Sequence, residues 1–430
     1  MRAEGAKSGS RRGAALGAVV FCGVPALIGA GLIAAAVGFS AAALPPVPEP
    51  PENRITEAKR VLGKILFWEE QLSSDNMVSC GTCHTPGAGG ADTRRVRQPG
   101  PDGILNTPDD IFGSPGVVKS DAAGDYEFDS IFGLNAQVTG RGSQTAILAA
   151  FAPTNFWDGR AGGRFVDPQT GAVLIQNGGA LENQAVGPVL NEIEMAHGGR
   201  DWDAVSAKLA TARPLALATD LPPDVSLAIE GGIEYPELFR RAFGDTNISA
   251  ARIAFAIATY ERTLIADQTP WDRFDAGDTN ALTAAQRQGL QTFQGARCAT
   301  CHDAPVFSDH SFRNIGLRPV AEDPGRQLVT GNPADRGRFK VPTLRNVGLK
   351  TSFMHNGQFN SLTGVVRFYA RAPGSPPQFR DNLDPVMDQV RFPPQQEAGL
   401  IDFLANGLLD TRVRDRVFPF DHPTLYSTRI

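Results

Sequence analysis

Two short stretches, Cys80-Gly81-Thr82-Cys83-His84 and Cys298-Ala299-Thr300-Cys301-His302, share the pattern Cys-x-x-Cys-His. This pattern is the attachment site of a c-type haem, in which the two thiols bond to the porphyrin and the adjacent histidine binds the iron. A redox Cys-x-x-Cys would not need a following histidine, and the two halves of a zinc site normally lie close together in sequence. The sequence therefore predicts two covalently bound haem c groups, held by Cys80, Cys83 and His84 and by Cys298, Cys301 and His302.

An amphipathic helix is expected before each motif. The first has apolar residues at helical spacing, namely Ala58, Val61, Leu62, Ile65 and Leu66. Before the second motif, Thr283 and Gln286 form a capping box, followed by Leu290 and Phe293 on one face. A further helix is expected from Ser249, and the chain breaks near Pro270. Signals for strands are scarce, so the fold class is mainly α.

Composition supports a folded chain with long loops. Of 430 residues, 42% are hydrophobic, and Gly at 46 and Pro at 32 exceed average usage. The net charge of −5 provides no basic excess for phosphates, which argues against a nucleic-acid partner. We expect two cytochrome c-like haem domains with Gly/Pro-rich loops, an N-terminal domain over 53–275 and a C-terminal domain over 276–430.

Residues 1–44 have the character of an export segment. Basic residues at the start precede a long uncharged, apolar stretch, which is typical of a signal peptide. The stretch is also long enough to span a bilayer as an uncleaved transmembrane anchor. Residues 45–52 form a Pro-rich linker. Both alternatives place the body of the chain in the periplasm or another space outside the cytoplasm, with any membrane contact made through this N-terminus.

Around the two motifs the chain resembles the bacterial dihaem cytochrome c peroxidase family, including its MauG-like branch. The resemblance covers most of the chain after residue 44. It rests on the segments Leu72-Ser73-Ser74-Asp75, Phe156-Trp157-Asp158-Gly159-Arg160-Ala161, Leu181 to Pro188, Asn191 to Met195, Val341-Pro342-Thr343-Leu344-Arg345-Asn346-Val347 and Met354-His355-Asn356-Gly357.

The resemblance implies a division of labour between the two haems. The N-terminal haem is expected to bind and cleave hydrogen peroxide, and the C-terminal haem to relay electrons. Gln184, Pro188 and Glu194 fall on the family's peroxide-side positions, with Glu194 as the general acid/base and Gln184 as a hydrogen-bonding group. Trp157 falls on the position of an electron relay between the haems. Outside the family motif, Glu194 would read as a surface helix residue and Trp157 as a core aromatic.

The first haem site departs from the ordinary pattern of the family. Ordinary members carry a histidine in a mobile loop that caps the first iron until partial reduction. No histidine lies between His84 and His197, and the corresponding loop reads Thr139-Gly140-Arg141-Gly142-Ser143-Gln144-Thr145. The sequence predicts that His84 is the only protein ligand of this iron, with Met77 as an alternative sixth ligand.

The second haem site departs as well. The family's methionine ligand lies fourteen residues after the histidine at position 355, and Tyr369 occupies that position here, as a tyrosine does in the MauG-like branch. An anionic phenolate favours oxidised iron and lowers its reduction potential. The alternative is that Tyr369 is a packing aromatic and that Met354, Met387 or His355 binds the iron.

Calcium and the protein partner are less well supported. Gly142 stands where the family has an asparagine ligand for an inter-haem calcium, and the acidic loop Pro101–Asp110 lacks the EF-hand spacing. Turns stabilised by aspartate side chains explain that loop more simply. Ala296 replaces a tryptophan that lies on the MauG-like route to a protein substrate, which argues against the same partner.

The sequence therefore predicts an exported dihaem peroxidase of MauG-like type. It would reduce peroxide at the first haem and share the oxidising equivalents with the second. Its partners would be hydrogen peroxide and either a small redox protein or a protein substrate. Two alternatives remain, a peroxide-scavenging cytochrome c peroxidase fed by a small redox protein and a plain electron-transfer dihaem cytochrome.

Overall fold

The computed structural model describes residues 43–372, 375 and 378–429. The expected signal peptide or membrane anchor lies outside these residues, apart from Ala43 and Leu44. Within the described residues, no helix is both long enough and apolar enough to cross a bilayer.

Helices provide most of the regular structure, in agreement with the predicted fold class. In chain order they are α1 (Glu57–Phe67), α2 (Cys80–Cys83), α3 (Ala180–Val186), α4 (Trp202–Thr211), α5 (Pro223–Ala228), α6 (Tyr235–Phe243), α7 (Ala250–Glu261), α8 (Pro270–Asp275), α9 (Ala284–Gly295), α10 (Gln327–Thr330), α11 (Leu362–Ala370), α12 (Glu397–Asp402) and α13 (Thr411–Arg414). The predicted capping box of α9 is present, because the Thr283 hydroxyl accepts from the Gln286 backbone and the Gln286 side chain accepts from the Thr283 backbone. Ser249 caps α7 and Thr56 caps α1, so the expected helices are confirmed.

The strands of the described residues are short and form antiparallel pairs. They are β1 (Val96–Gln98) with β2 (Ile111–Gly113), β3 (Pro115–Val118) with β4 (Ala136–Val138), β5 (Phe165–Val166) with β6 (Val173–Ile175), and β7 (Phe312–Arg313) with β8 (Phe339–Lys340). In the last pair, Phe312 lies opposite Lys340 and Arg313 opposite Phe339. Such pairs brace loops and supply no sheet core.

Each motif follows a helix that crosses a later helix at a glycine. A Cβ on Gly63 of α1 would lie 1.8 Å from the carbonyl oxygen of Ala256 in α7. A Cβ on Gly289 of α9 would lie 2.0 Å from the carbonyl oxygen of Gly399 in α12. Only glycine permits this backbone approach, so the same crossing positions the haem motif in both halves of the chain.

The two largest hydrophobic clusters follow these crossings. One contains residues of α1, α6 and α7, and the other contains residues of α9, α11 and α12. The C-terminal tail does not stay with the second cluster, since Val413, Phe420 and Leu425 are buried in the first. The division of the chain near residue 275 stays a prediction.

The Pro-rich segment after residue 44 is extended and packed on the body. Pro50 has φ −66° and ψ 141°, as in a polyproline conformation. Leu44 packs against the first hydrophobic cluster, and the carbonyl oxygen of Pro48 accepts from Arg262 at 3.1 Å. The segment is therefore fixed on the surface of the helices.

Candidate haem-binding and active site

The first motif lies at the wall of a cavity of about 660 Å³. Cys80, Cys83 and His84 all line this cavity, and Ser79 caps the short helix α2 that carries the two thiols. Burial raises the pKa of Cys80 to about 12 and also raises that of Cys83. A redox-active cysteine pair has the opposite property, a lowered thiol pKa.

Both motif histidines are held by backbone carbonyl groups. His84 Nδ1 lies 2.8 Å from the carbonyl oxygen of Gln144, and His302 Nδ1 lies 3.1 Å from that of Pro342. Burial lowers the pKa of both imidazoles, which favours the neutral form. With Nδ1 engaged, Nε2 is the nitrogen left to bind a metal in the cavity.

The three expected peroxide-side residues line the same cavity as His84. Gln184 lies on α3, Pro188 begins the following 3-10 turn, and Glu194 follows the turn at Asn191. Asn191 orients this segment, because its side-chain oxygen accepts from the backbone N–H of Ile193 at 2.8 Å and of Glu194 at 3.2 Å. The structure thus brings together, in one cavity, the residues that sequence resemblance assigned to peroxide chemistry.

Two glutamates line this cavity, in addition to Asp158. Burial raises the pKa of Glu194, and the nearby Arg160 opposes that rise. Glu261, at the end of α7, was not expected from the sequence. Burial raises its pKa to about 8, and its buried Oε2 has no hydrogen-bond partner among the described residues.

The first cavity has the composition expected of a haem site. Its wall includes buried polar atoms that find no partner among the described residues, namely Ser114 Oγ, Gln144 Nε2 and Asn155 Nδ2. Unpaired buried polar groups are costly, so such atoms indicate a polar-edged group in the cavity. A haem, apolar in its ring and anionic at its propionates, fits these walls together with the thiols and imidazole.

The second motif lines a narrower cavity of about 190 Å³. Cys298, Cys301 and His302 lie at its wall, and so does Tyr369 of α11. Burial raises the pKa of the Tyr369 phenol. Met354, Met387 and His355, the alternative iron ligands, line this cavity too.

Two lysines at the second cavity, one buried and one partly buried, were also not expected from the sequence. Lys340 and Lys350 line the wall, and burial lowers their pKa to about 7 and about 8. Lys340 Nζ donates to the carbonyl oxygen of Thr154 at 2.9 Å. Basic side chains at the wall of this cavity match the carboxylates of a haem.

Trp157 lines both cavities. Its indole Nε1 donates to the carbonyl oxygen of Gly142 at 2.7 Å. The ring of His355 lies 6.3 Å from that of Trp157 and stacks on Phe339 at 3.6 Å. His355 therefore packs beside Trp157 at the second cavity.

The loop Thr139–Thr145 is fixed at several points. Gly142 N donates to the carbonyl oxygen of His355 at 2.8 Å, in addition to the contact of its own carbonyl with Trp157. Arg141 binds Asp158 at 2.6 Å and both carboxylate oxygens of Asp323 at 2.7 Å. Although burial opposes ionisation, the guanidinium lowers the pKa of both carboxyl groups. No sequence motif marks Arg141 as a link between distant segments.

His84 is the only histidine among the described residues that line the first cavity. Met77, the alternative sixth ligand, packs against the first hydrophobic cluster.

The acidic loop at 101–110 forms turns, and the prediction about calcium stays a prediction. The described residues contain no group of three or more His, Cys, Asp or Glu side chains arranged to hold a metal ion. In the 101–110 loop, the Asp102 carboxylate accepts from the backbone of Ile104 at 2.8 Å and Asp109 accepts from Thr107 at 2.6 Å. These are turn contacts within the loop.

Comparison with known proteins identifies the family. The family model described as di-haem cytochrome c peroxidase matches residues 57–280. The cytochrome c peroxidase Ccp of Escherichia coli is 31% identical over 76% of this chain and 56% of its own length, so the match spans little more than half of that relative. The cytochrome-c peroxidase IdrP1 of Denitromonas iodatirespirans is 30% identical over 80% of both chains. The methylamine utilization protein MauG of Methylophilus methylotrophus is 28% identical over 83% of this chain and 84% of its own.

Solved structures show the same fold. A MauG-like protein associated with microbial copper homeostasis superposes with a TM-score of 0.61 at 22% identity, over 88% of this chain and 97% of that one. The diheme peroxidase BthA from Burkholderia thailandensis superposes with a TM-score of 0.56 at 20% identity, over 86% and 91%. The resemblance inferred from the sequence is confirmed, and the chain belongs to the di-haem cytochrome c peroxidase family, a family of haem peroxidases that includes MauG.

Proposed function

We propose that this chain reduces hydrogen peroxide at a first haem and exchanges oxidising equivalents with a second. Cys80 and Cys83 would hold the first haem through thioether bonds, with His84 on the iron, and Cys298, Cys301 and His302 would hold the second. The observation that carries the proposal is the content of the first cavity, where Gln184, Pro188 and Glu194 share the wall with His84. The second cavity has a motif of its own and none of these three residues.

The protein supplies a proton carrier and a hydrogen-bonding group to the reaction. The haem iron, when bound, supplies the site for peroxide and the electrons that cleave its O–O bond. Glu194 accepts a proton from the near peroxide oxygen and returns it to the far one, which leaves as water. Burial raises the pKa of Glu194, which makes the carboxyl group a better proton acceptor than an exposed glutamate. Gln184 holds the peroxide by hydrogen bonding, and Pro188 keeps that side of the cavity apolar.

The first haem site is proposed to be open without prior reduction. A capping histidine is lacking from the described wall of the cavity. The loop that carries such a histidine in other family members is held here by the ion pairs of Arg141 and by the contacts of Gly142 with Trp157 and His355.

The second haem is proposed to have Tyr369 as its second iron ligand. Tyr369 lines the cavity, and an iron(III) ion would supply the positive charge that a buried phenolate requires. The packing of His355 on Phe339 favours a supporting role for that side chain. Met354 and Met387 remain the alternative ligands, since both line the cavity.

Trp157 is proposed to relay electrons between the haems, because it lines both cavities. The two oxidising equivalents from one peroxide would then be shared and passed to a small redox protein or to a protein side chain, as in the MauG-like mode. The relatives include both cytochrome c peroxidases and MauG, so the scavenging cytochrome c peroxidase stays the alternative. A plain electron-transfer role would leave Gln184 and Glu194 unused. We place the haem-loaded protein outside the cytoplasm, on the basis of the export segment at residues 1–44.

The test is to add hydrogen peroxide to the fully oxidised, haem-loaded protein and to follow the optical and EPR spectra of both haems. Rapid loss of the ferric signals of both irons supports the open first haem and the MauG-like mode. Reaction only after partial reduction would overturn that mode and favour the scavenging peroxidase. Steady turnover with reduced cytochrome c would favour the same alternative.

A further inference from the structure

Trp68 lies against the first haem motif, outside the cavity. The residue follows α1 and is 2% exposed. A Cβ on Gly81 would lie 2.2 Å from the Trp68 ring, so the indole touches the backbone of the short helix that carries Cys80 and Cys83. Its neighbour Phe67 forms part of the cavity wall.

Trp68 is the centre of an aromatic cluster formed by Phe67, Trp68, Tyr260 and His422, here called the Trp68 cluster. The indole Nε1 donates to the Tyr260 hydroxyl at 3.3 Å. The His422 ring stacks on the indole with centroids 4.2 Å apart and planes 8° from parallel. Phe67 packs edge-on against both Trp68 and Tyr260. The cluster thus continues from the cavity wall to the C-terminal tail.

His422 connects this cluster with the surface. Its ring is only partly buried, and its Nδ1 donates to the carbonyl oxygen of Pro423 at 2.8 Å. Burial lowers the pKa of His422 to about 4, while Asp421 opposes the lowering and Arg416 and Lys64 add to it. A neutral imidazole stacked on the indole does not oppose a positive charge there.

We propose that Trp68 is a second oxidisable side chain beside the first haem. Oxidising equivalents leave through it toward His422 when no reductant consumes them by the route through Trp157. The inference rests on the proposed peroxide chemistry at the first haem. Indole is among the most easily oxidised side chains. Trp68 touches the haem-bearing backbone and has its N–H held in place by Tyr260.

The electrons balance as follows. Reduction of one hydrogen peroxide to two waters takes up two protons and leaves the protein two electrons short. One electron passes from the Trp68 indole to the oxidised centre, and the N–H proton stays on the indole, held by the Tyr260 oxygen. A one-electron donor such as ferrocyanide can then return the electron. Without a donor, the indole loses a second electron, takes one oxygen atom from water and releases two protons, so that one peroxide is converted into one water and one hydroxylated Trp68.

The test uses the oxidised, haem-loaded protein treated with successive additions of peroxide in the absence of any donor. Peptide mass spectrometry of the wild type should show oxygen addition at Trp68, and ferrocyanide should suppress it. Trp202, buried in α4 of the same half, is the internal reference and should stay unmodified. This peptide analysis of the wild type needs no substitution, so it tests the oxidation of Trp68 even where a variant fails to fold.

Two variants sharpen the result. In the wild type, ring-deuterated tryptophan should narrow the EPR signal of the radical, and Trp68→Phe should lose that signal. The first haem of Trp68→Phe should also bleach faster with each peroxide addition. Trp202→Phe should behave as the wild type. The inference would be refuted if Trp68 stays unmodified and the Trp68→Phe variant bleaches like the wild type, although the haems of the wild type still react with peroxide in their spectra. A first haem with no spectral change on peroxide addition would overturn the proposed function as well.

Discussion

The guanidinium of Arg141 binds both carboxylate oxygens of Asp323 at 2.7 Å, across 182 residues of sequence. The same guanidinium binds Asp158, the residue after Trp157, at 2.6 Å. One side chain thus joins three segments, the loop Thr139–Thr145, the Trp157 segment and the chain after the second haem motif. The loop in turn provides the carbonyl groups that hold His84 and Trp157.

Replacement of Arg141 by Gln should loosen this arrangement. The change leaves the partly buried Asp323 without its cation and removes the shorter of the two ion pairs of the buried Asp158, which keeps Arg160, so we expect a loss of about 1–3 kcal/mol in the free energy of unfolding. Hydrogen exchange should accelerate in the loop Thr139–Thr145. Chemical denaturation and hydrogen-exchange mass spectrometry measure the two effects.

Arg318→Gln is the matched control for that substitution. Arg318 also binds a carboxylate with two short contacts, to Glu322, and the two pairs are similarly exposed. The Arg318 pair is local, however, and we expect it to contribute less than about 1 kcal/mol. Equal losses in both variants, with unchanged exchange in the loop, would contradict a linking role for Arg141.

Glu194→Gln should slow the reaction with peroxide by about 10²–10⁴-fold, since the amide cannot carry the proton. In the wild type the carboxylate form is the one that accepts the peroxide proton. Because burial raises the pKa of Glu194, the rate should fall on acidification at a pH above the usual range of a glutamate. Stopped-flow measurements across pH give both quantities, and the variant should lose this acid limb.

The control for Glu194 is Glu192→Gln, an exposed carboxylate two residues earlier. Its rate and pH profile should match the wild type. A Glu194→Gln variant that retained the wild-type rate would remove Glu194 from the proton-carrying role.

Gly63→Ala should destabilise the first half of the chain. The new methyl group would lie 1.8 Å from the Ala256 carbonyl oxygen, so α1 and α7 would have to move apart. We expect a cost of at least about 1–3 kcal/mol, typical of overpacking. Gly295→Ala at the end of α9 is the control, because a Cβ there meets no atom within 4 Å. Gly295→Ala should keep or slightly raise the midpoint of thermal unfolding. An equal loss of stability in Gly63→Ala and Gly295→Ala would contradict the close crossing of α1 and α7.

The parts of the fold that the sequence predicted are those with local causes. Capping by Thr283 and Ser249 depends on residues three positions apart, and the haem motifs depend on five consecutive residues. Gln184, Pro188 and Glu194 could be found because they lie within eleven residues, in segments that resemble the family. They line one cavity with His84, and their catalytic roles stay predictions for the kinetic tests above.

Contacts between distant segments could not be predicted from the sequence. Lys64 is fully buried and binds Asp421 at 2.9 Å, which brings the C-terminal tail to α1. Nothing near either residue marks this pair, just as nothing marks Arg141 and Asp323 or the stacking of His422 on Trp68. Buried charges such as Glu261 and Lys340 were missed for the same reason, since their burial depends on helices and loops that assemble only in the folded chain.

Tyr369→Met should raise the reduction potential of the second haem by on the order of 0.1 V, because a neutral thioether replaces an anionic phenolate that stabilises ferric iron. Spectroelectrochemistry of the haem-loaded protein measures the potential, and the ferric charge-transfer absorption reports the change of ligand independently. Met354→Leu and Met387→Leu are the matched controls, since both side chains line the same cavity as Tyr369. Each should leave the potential and the absorption close to the wild type. If one of these methionine variants changes the ferric spectrum while Tyr369→Phe does not, that methionine is the iron ligand and Tyr369 is a packing residue of α11.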